Sequence, residues 1–303
     1  MSPVPKIFLK HLNKLEPDAQ FTFSPPRLKS SSGAAYYAKV GTTSEHPQYT
    51  AEAESLKALD IAAPGLVPKV LASGFFTGDD QESESGVGRP YFLSEYKDLR
   101  SLSSASAKTL GRRLAEEIHS YKGLNGFGFH VPTYCGQTRM ENGWHSSWAK
   151  CYDALIAGLL SHLTSSGYFA LRTKGEQVRK RVIPVLLDPD RLVVQPVLIH
   201  GDLWSGNTGE DQNGQPVIYD PSSMFAHNEF DLAIGRMFGG IPPSFYTEYH
   251  KHLPKSVPEE EYDLRSDLYV LFHYLNHTVV FGGSYASGAE QRMDKLLRSF
   301  PQE

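Results

Sequence analysis

Three oxygen-bearing side chains stand at the ends of two apolar runs. Val197-Leu198-Ile199 leads into His200-Gly201-Asp202, and Asn207 follows five residues after that Asp. Val217-Ile218-Tyr219 then leads into Asp220-Pro221. A carboxylate held at the end of a strand can orient a bound hydroxyl and accept its proton. A carboxamide and a second carboxylate are hard oxygen ligands of the kind Mg²⁺ takes. His200, ahead of a tight Gly turn, is placed to orient Asp202. Trp204 lies inside the same stretch and offers a flat face to a sugar ring or a cation.

Protein kinases join H-R-D-x-x-x-x-N to a later D-F-G. There the first Asp takes the hydroxyl proton, and the Asn and the last Asp hold Mg²⁺. Asp202, Asn207 and Asp220 keep that order, with Gly in place of Arg and Asp-Pro in place of Asp-Phe-Gly. The variation points to the small-molecule branch of the kinase fold, with ATP and Mg²⁺ as the implied cofactors. A nucleotide half should then lie upstream. Ala34–Val40 reads as a strand carrying Lys39, and Thr50–Leu59 as a helix whose Glu52 shares a face with Leu56 and Leu59. A strand Lys paired with a helix Glu aligns the Lys with the α- and β-phosphates. Glu54 would face solvent. The strand Tyr91–Tyr96 ends in a polar linker, and backbone groups near Ser94, Glu95 and Tyr96 are expected to meet the adenine edge. The turn Ser30-Ser31-Ser32-Gly33 lacks G-x-G-x-x-G, and is expected to cover the phosphates with its N–H groups.

The elements that must position these residues follow from periodicity. We expect helices over Pro5–Leu15, Ala105–Tyr121, Trp144–Leu163, Gly175–Leu187 and Asp231–Phe238. Two more, Ser244–His252 and Glu260–Phe281, close the chain. Val67–Phe76 reads as strand and Thr77–Arg89 as a Gly- and Ser-rich loop. Phe225–Phe230 reads as the lead-in to a helix. The fold class is therefore α+β and two-lobed, with a mainly-β nucleotide-binding lobe over 1–96 and a mainly-α catalytic and substrate-binding lobe over 97–303.

Composition sets further bounds. The chain has 303 residues, 40% hydrophobic and 21% charged, with a net charge of -4. That is ordinary globular chemistry, and it lacks the basic excess of a nucleic-acid binder. Cys135 and Cys151 are too few for a disulfide framework. We expect no membrane segment and a cytoplasmic location. No G-x-S-x-G elbow appears. His273 and His277 lie four apart on a helix without the Glu of H-E-x-x-H, and are not read as a zinc pair.

His200-Gly-Asp-Leu-Trp-Ser-Gly-Asn207 resembles the signature of the fructosamine kinase family. The likeness continues in Pro216-Val-Ile-Tyr-Asp-Pro-Ser-Ser, His227-Asn-Glu-Phe-Asp-Leu-Ala-Ile, Met237-Phe-Gly-Gly and Leu268-Tyr-Val-Leu-Phe-His-Tyr-Leu-Asn-His. Upstream it includes Ala51-Glu-Ala-Glu-Ser-Leu and Phe127-Gly-Phe-His. The resemblance implies an aminoglycoside-phosphotransferase-like fold. It also implies ATP-dependent phosphorylation of the sugar 3-hydroxyl of ketosamines, carried by glycated proteins or small glycated amines, which leads to deglycation. It implies Asp202 as catalytic base, Asn207 and Asp220 as metal ligands, Lys39 and Glu52 at the nucleotide phosphates, and Ser94, Glu95 and Tyr96 as hinge. Trp204 and His277 match positions that flank the sugar. The family's phosphate loop is Gly-rich and often carries a Cys, which Ser30–Gly33 lacks. The alternatives are another small-molecule kinase, of aminoglycoside or choline type, and an inactive nucleotide-binding pseudokinase.

Overall fold

The computed structural model describes residues 3–78 and 86–301, so part of the expected Thr77–Arg89 loop lies outside the described residues. Helix α1 (Lys6–Leu15) precedes a sheet of β1 (Phe21–Ser24), β2 (Arg27–Ser30), β3 (Ala35–Val40), β4 (Val70–Phe75) and β5 (Pro90–Glu95). The order is β1-β2-β3-β5-β4, with every neighbour antiparallel. Alternation along the strands divides the sheet into two faces. Tyr36, Ala38 and Leu93 join Ile7, Phe8 and Leu12 of α1 in one small core. Phe92, one residue before Leu93, instead joins the large core with Ala53, Leu56 and Leu59 of α2 (His46–Ala62). The face bearing Lys39 is therefore the one turned towards α2 and the rest of the molecule.

The remainder is helical. It holds α3 (Ser104–Arg113), which runs on through a wider π turn at Leu114–Ile118, then α4 (Trp148–Ser165), α5 (Phe169–Arg181) and α6 (Ile183–Leu186). After the signature come α7 (Asn228–Asp231), α8 (Ala233–Phe238), α9 (Pro243–His252), α10 (Tyr262–Phe281) and α11 (Ser284–Ser299). Two-stranded ribbons lie between them: β6 (Tyr134–Cys135) with β7 (Thr138–Arg139), β8 (Val197–Ile199) with β11 (Met224–Ala226), and β9 (Thr208–Glu210) with β10 (Pro216–Ile218). Helix α10 is buried around most of its circumference, and its apolar residues Leu268, Tyr269, Leu271, Phe272 and Leu275 centre the large core. No helix among the described residues is long and apolar enough to cross a membrane.

Several expectations are corrected. The chain does not close at Phe281: α11 follows, packing Ala289, Met293 and Leu296 inward. Trp144 lies outside α4, which begins at Trp148 after Ser147 caps it by accepting from the Lys150 N–H. The helix expected over Gly175–Leu187 is two, α5 from Phe169 and the short α6. Phe225 and Ala226 are a strand, whose partner β8 makes the second wall of the signature.

Candidate active site

The two apolar runs of the signature are the strands β8 and β10, both buried along their length. After β8 the chain turns sharply at Gly201, with φ +85; a Cβ there would stand 2.0 Å from the Ser222 carbonyl oxygen, so only Gly fits. Asp231, at the end of α7, fastens the turn. Its Oδ2 accepts the His200 N–H at 2.8 Å and its Oδ1 the Gly201 N–H at 2.7 Å. His119 Nε2 lies 3.1 Å from the same Oδ2. Burial pushes the Asp231 carboxyl upward, but these hydrogen bonds, His119 foremost, hold it below the usual carboxylate range. The His200 ring sits beneath the loop. Its Nδ1 accepts the Asp202 N–H at 3.3 Å and its Nε2 donates to the Tyr219 carbonyl at 3.0 Å, so one imidazole ties the first Asp to the strand leading to the second. Burial lowers its pKa, in keeping with an Nδ1 that accepts an N–H and so carries no proton.

Asp202 is partly exposed at the loop's tip. Burial raises its carboxyl to about 7, against the Asn207 hydrogen bond and with the help of Asp231 and Asp220. Asn207 Nδ2 donates to both the Asp202 carbonyl and its Oδ2, each at 2.9 Å, which leaves the Asn207 amide oxygen turned away from Asp202. Asp220 adopts φ +52, an uncommon conformation outside Gly. Its carboxylate is exposed and has no protein donor among the described residues. The hairpin β9–β10 joins the pieces: Tyr219 N–H donates to the Asn207 carbonyl at 3.0 Å and Tyr219 OH to the Gly206 carbonyl at 2.7 Å.

Lys39 Nζ stands 2.5 Å from Glu52 Oε2. Burial penalises both charges and pushes the Glu52 carboxyl up, while the pairing more than restores Lys39, whose ammonium is held above its usual range. Glu54 is partly exposed and pairs instead with Lys57 at 2.8 Å and His130 at 3.1 Å. Between sheet and helices opens a cavity of about 360 Å³, lined by Tyr37, Glu52, Phe92, the Ser94–Leu99 segment, Tyr219 and Asp220. Ser94 is buried, and its hydroxyl donates to the Glu95 carbonyl at 3.2 Å.

Two expectations about this cavity are corrected. The N–H groups of Glu95 and Tyr96 are engaged by the carbonyls of Lys69 at 3.0 Å and Ala35 at 3.2 Å, so neither is free for an adenine. Among the described residues, the first linker N–H groups without a protein acceptor are those of Lys97 and Asp98. The Ser-rich turn is closed in the same way. Ser31 N–H donates to the Gln20 carbonyl, Ser32 N–H to Ser30 Oγ, and Gly33 N–H to the Ser30 carbonyl. Glu16 accepts from the Ser30 hydroxyl at 2.7 Å and puts a carboxylate on that turn. The other turn at this sheet, between β1 and β2, contains Pro25 and Pro26, which have no N–H to offer.

Trp204 folds over Gly206, where a Cβ would meet the indole at 2.3 Å. It packs on Phe238 with ring centroids 5.1 Å apart, and Phe238 packs on His277 at 5.0 Å. Trp204 and His277 thus lie in one aromatic row, joined by a residue the sequence reading did not single out. His277 Nδ1 turns back to its own helix at the His273 carbonyl, 2.8 Å away. Three further residues were missed. Asp231 is described above. Glu210 on β9 binds the linker before α3 through Arg100 Nε at 2.7 Å and Ser103 N–H at 2.9 Å. Buried Glu229 grips Arg265, whose guanidinium also donates to the Pro258 and Ser256 carbonyls. Glu229 and Asp231 left a trace in the sequence as acids on either side of an apolar Phe230, while Glu210 in Thr208-Gly-Glu-Asp-Gln212 left none.

A carboxylate and carboxamide on the loop after β8, a second carboxylate after β10, and a Lys–Glu pair beside the cavity keep the arrangement of a phosphotransferase of the protein-kinase-like fold. The family model for fructosamine kinase matches residues 26–299. The chain is 33% identical over 270 residues to the chloroplastic protein-ribulosamine 3-kinase of Arabidopsis thaliana, covering 88% of this chain and 78% of that one. It is 34% identical over 235 residues to the ketosamine-3-kinase of Mus musculus, covering 70% and 74%. The crystal structure of a putative fructosamine-3-kinase from Haemophilus somnus superposes with a TM-score of 0.76 over 95% of this chain and 96% of that one, at 20% identity. The chain belongs to the fructosamine kinase family, and it is a kinase.

Proposed function

We propose that the protein transfers the γ-phosphoryl group of ATP to the sugar 3-hydroxyl of ketosamines on lysines of proteins or on small amines, the step that leads to deglycation. The observation that carries this reading is Asp202, raised to about 7 by burial and held by Asn207 and by the Asp231-anchored turn. A base with a pKa near neutrality combines the right protonation state with proton affinity. Asp202 orients the acceptor hydroxyl and takes its proton as the oxygen bonds to phosphorus and the bond to the β-phosphate oxygen breaks. Lys39, fixed by Glu52, contacts the α- and β-phosphates. Adenine lies against Ser94, Glu95 and Tyr96, and its donor is the Lys97 N–H rather than those of Glu95 and Tyr96. With the turns near the phosphates closed or Pro-containing, Lys39 carries more of the phosphate grip than in a Gly-rich kinase.

The amide oxygen of Asn207 and the undonated carboxylate of Asp220 fit Mg²⁺, and these two residues would hold it. Bound there, the ion would neutralise charge on the phosphates. Trp204 and His277, both partly exposed and joined through Phe238 in one aromatic row, offer that row to the sugar. The boundary between the lobes falls near residue 97, and we place the reaction in the cytoplasm, a reading supported by two buried free thiols.

A phosphorylation panel tests the acceptor. With ATP and Mg²⁺, ribulosamine and fructosamine adducts of lysine are expected to turn over, while an aminoglycoside and choline are not. Turnover of choline or an aminoglycoside in preference to every ketosamine would replace this reading. ATP binding without turnover of any acceptor would favour a pseudokinase.

A further inference from the structure

Behind Asp202 lies a second group of ligating atoms. Cys135 ends β6, and His273 sits in the middle of α10. The Cys135 Sγ, an Asp202 carboxylate oxygen and a His273 ring nitrogen all lie within 4.8 Å of one another. Cys135 is 1% exposed and His273 fully buried. Among the described residues, both ring nitrogens of His273 lack a hydrogen-bond partner, and so does the oxygen of Asn276, whose amide donates to the Cys135 carbonyl at 3.2 Å. Buried polar atoms left unpaired are costly and rare in folded proteins. Here a His273 ring nitrogen and the Cys135 sulfur lie beside the partly exposed Asp202 carboxylate.

Sulfur, imidazole nitrogen and carboxylate oxygen form a donor set for a zinc-class cation and a poor one for Mg²⁺. Bond lengths of ~2.0–2.3 Å put ligand atoms roughly 3.3–3.5 Å apart in a tetrahedral site. With the three atoms within 4.8 Å of one another, closing to that spacing takes at most about 1.5 Å of side-chain movement shared among Cys135, His273 and Asp202. We propose that Cys135, His273 and Asp202 form an inhibitory site for a zinc-class divalent cation. Binding would release the Cys135 thiol proton to solvent and draw the Asp202 carboxylate away from the acceptor hydroxyl. The fourth position would remain open to water. No oxidation or reduction is involved. The loss of activity rests on Asp202 being the catalytic base as proposed above; the binding does not.

The test has two readouts. Co²⁺ alone, as a spectroscopic stand-in for zinc, is titrated into the full chain, and a thiolate-to-cobalt charge-transfer band is expected. Cys135→Ser should abolish the band, and His273→Gln should weaken Co²⁺ binding by about tenfold or more. In the second readout, turnover with ATP and excess Mg²⁺ should fall about tenfold or more on adding Zn²⁺, and Cys135→Ser should turn over without zinc yet resist its addition. No band in the wild-type chain, or one that survives Cys135→Ser, overturns the site. Equal inhibition of wild type and Cys135→Ser places the zinc at the Asn207–Asp220 ligands and overturns the inhibitory role. If Cys135→Ser does not fold, the wild-type band and its weakening in His273→Gln decide. If no acceptor is phosphorylated at all, the Co²⁺ band still stands or fails by itself, which separates this proposal from the assignment of function.

Discussion

At the scale of single residues, the site depends on how few polar contacts each key side chain has to spare. Asn207 directs its nitrogen at Asp202 twice, which turns its oxygen away from that residue. Asp220 is held at φ +52 with no donor among the described residues, a strained backbone that persists because the hairpin around it fixes Tyr219. Trp204 is the residue whose role is most easily isolated, because among the described residues the indole packs at a tilt on Phe238 rather than hydrogen-bonding. Trp204→Ala is expected to raise KM for a ketosamine about tenfold, through loss of roughly 1.5 kcal/mol of ring contact, with KM for ATP unchanged. Steady-state kinetics against both substrates measure this. A parallel rise in both KM values would assign the indole to packing alone. These residues were legible in the sequence because their spacing is local. Cys135 and His273 were not read as partners, because they lie far apart in the sequence and meet only across the fold.

At the scale of elements, short segments are held by buried acids from elsewhere. Asp231 fixes the β8 turn, Glu210 binds β9 to the linker before α3, and Glu229 with Arg265 secures the loop at Ser256–Pro258. The sequence showed the signature strands β8 and β10 and the order of the motifs, but a lone acid does not announce which backbone it will fasten. The same limit explains the closed Ser-rich turn and the occupied N–H groups of Glu95 and Tyr96, since their acceptors at Gln20, Lys69 and Ala35 come from other segments. Helix α11 was missed although its apolar positions Ala289, Met293 and Leu296 have helical spacing, because Gly282, Gly283 and Gly288 surround its start. Asp231→Asn turns an amide nitrogen or a weaker acceptor towards two N–H donors. We expect about 3 kcal/mol of lost stability by chemical denaturation, with kcat reduced even where the variant is fully folded. Unchanged kcat in the folded variant would show that the turn holds without its anchor.

At the scale of the whole molecule, one large core runs from α2 and Phe92 through α10 to α11, while a smaller one sits under α1. Buried histidines in the large core make stability depend on pH. His227 accepts or donates at 2.8 Å to both Tyr269 OH and Ser256 Oγ, and burial, partly countered by Glu229, lowers it to about 4. An unfolded His titrates near 6.5, so between those values the unfolded chain binds a proton that the folded one refuses. Its contribution is therefore fully present above about pH 6.5 and is lost as pH falls towards about 4. Denaturant titrations should show the wild type losing roughly 2–3 kcal/mol more than His227→Gln between about pH 7 and about pH 4.5. Equal losses in the two proteins would mean that His227 is already charged in the fold.

The central claim is that Asp202 takes the proton of a ketosamine hydroxyl during phosphoryl transfer. Asp202→Asn keeps the size of the side chain and its contact with Asn207 but removes the base. The most direct measurement is single-turnover phosphorylation of ribuloselysine by wild type and Asp202→Asn at saturating ATP and Mg²⁺, with ATP binding measured alongside. The account predicts unchanged ATP affinity and a rate lower by roughly 10²–10⁴-fold. A variant that binds ATP and phosphorylates the sugar at the wild-type rate would contradict it.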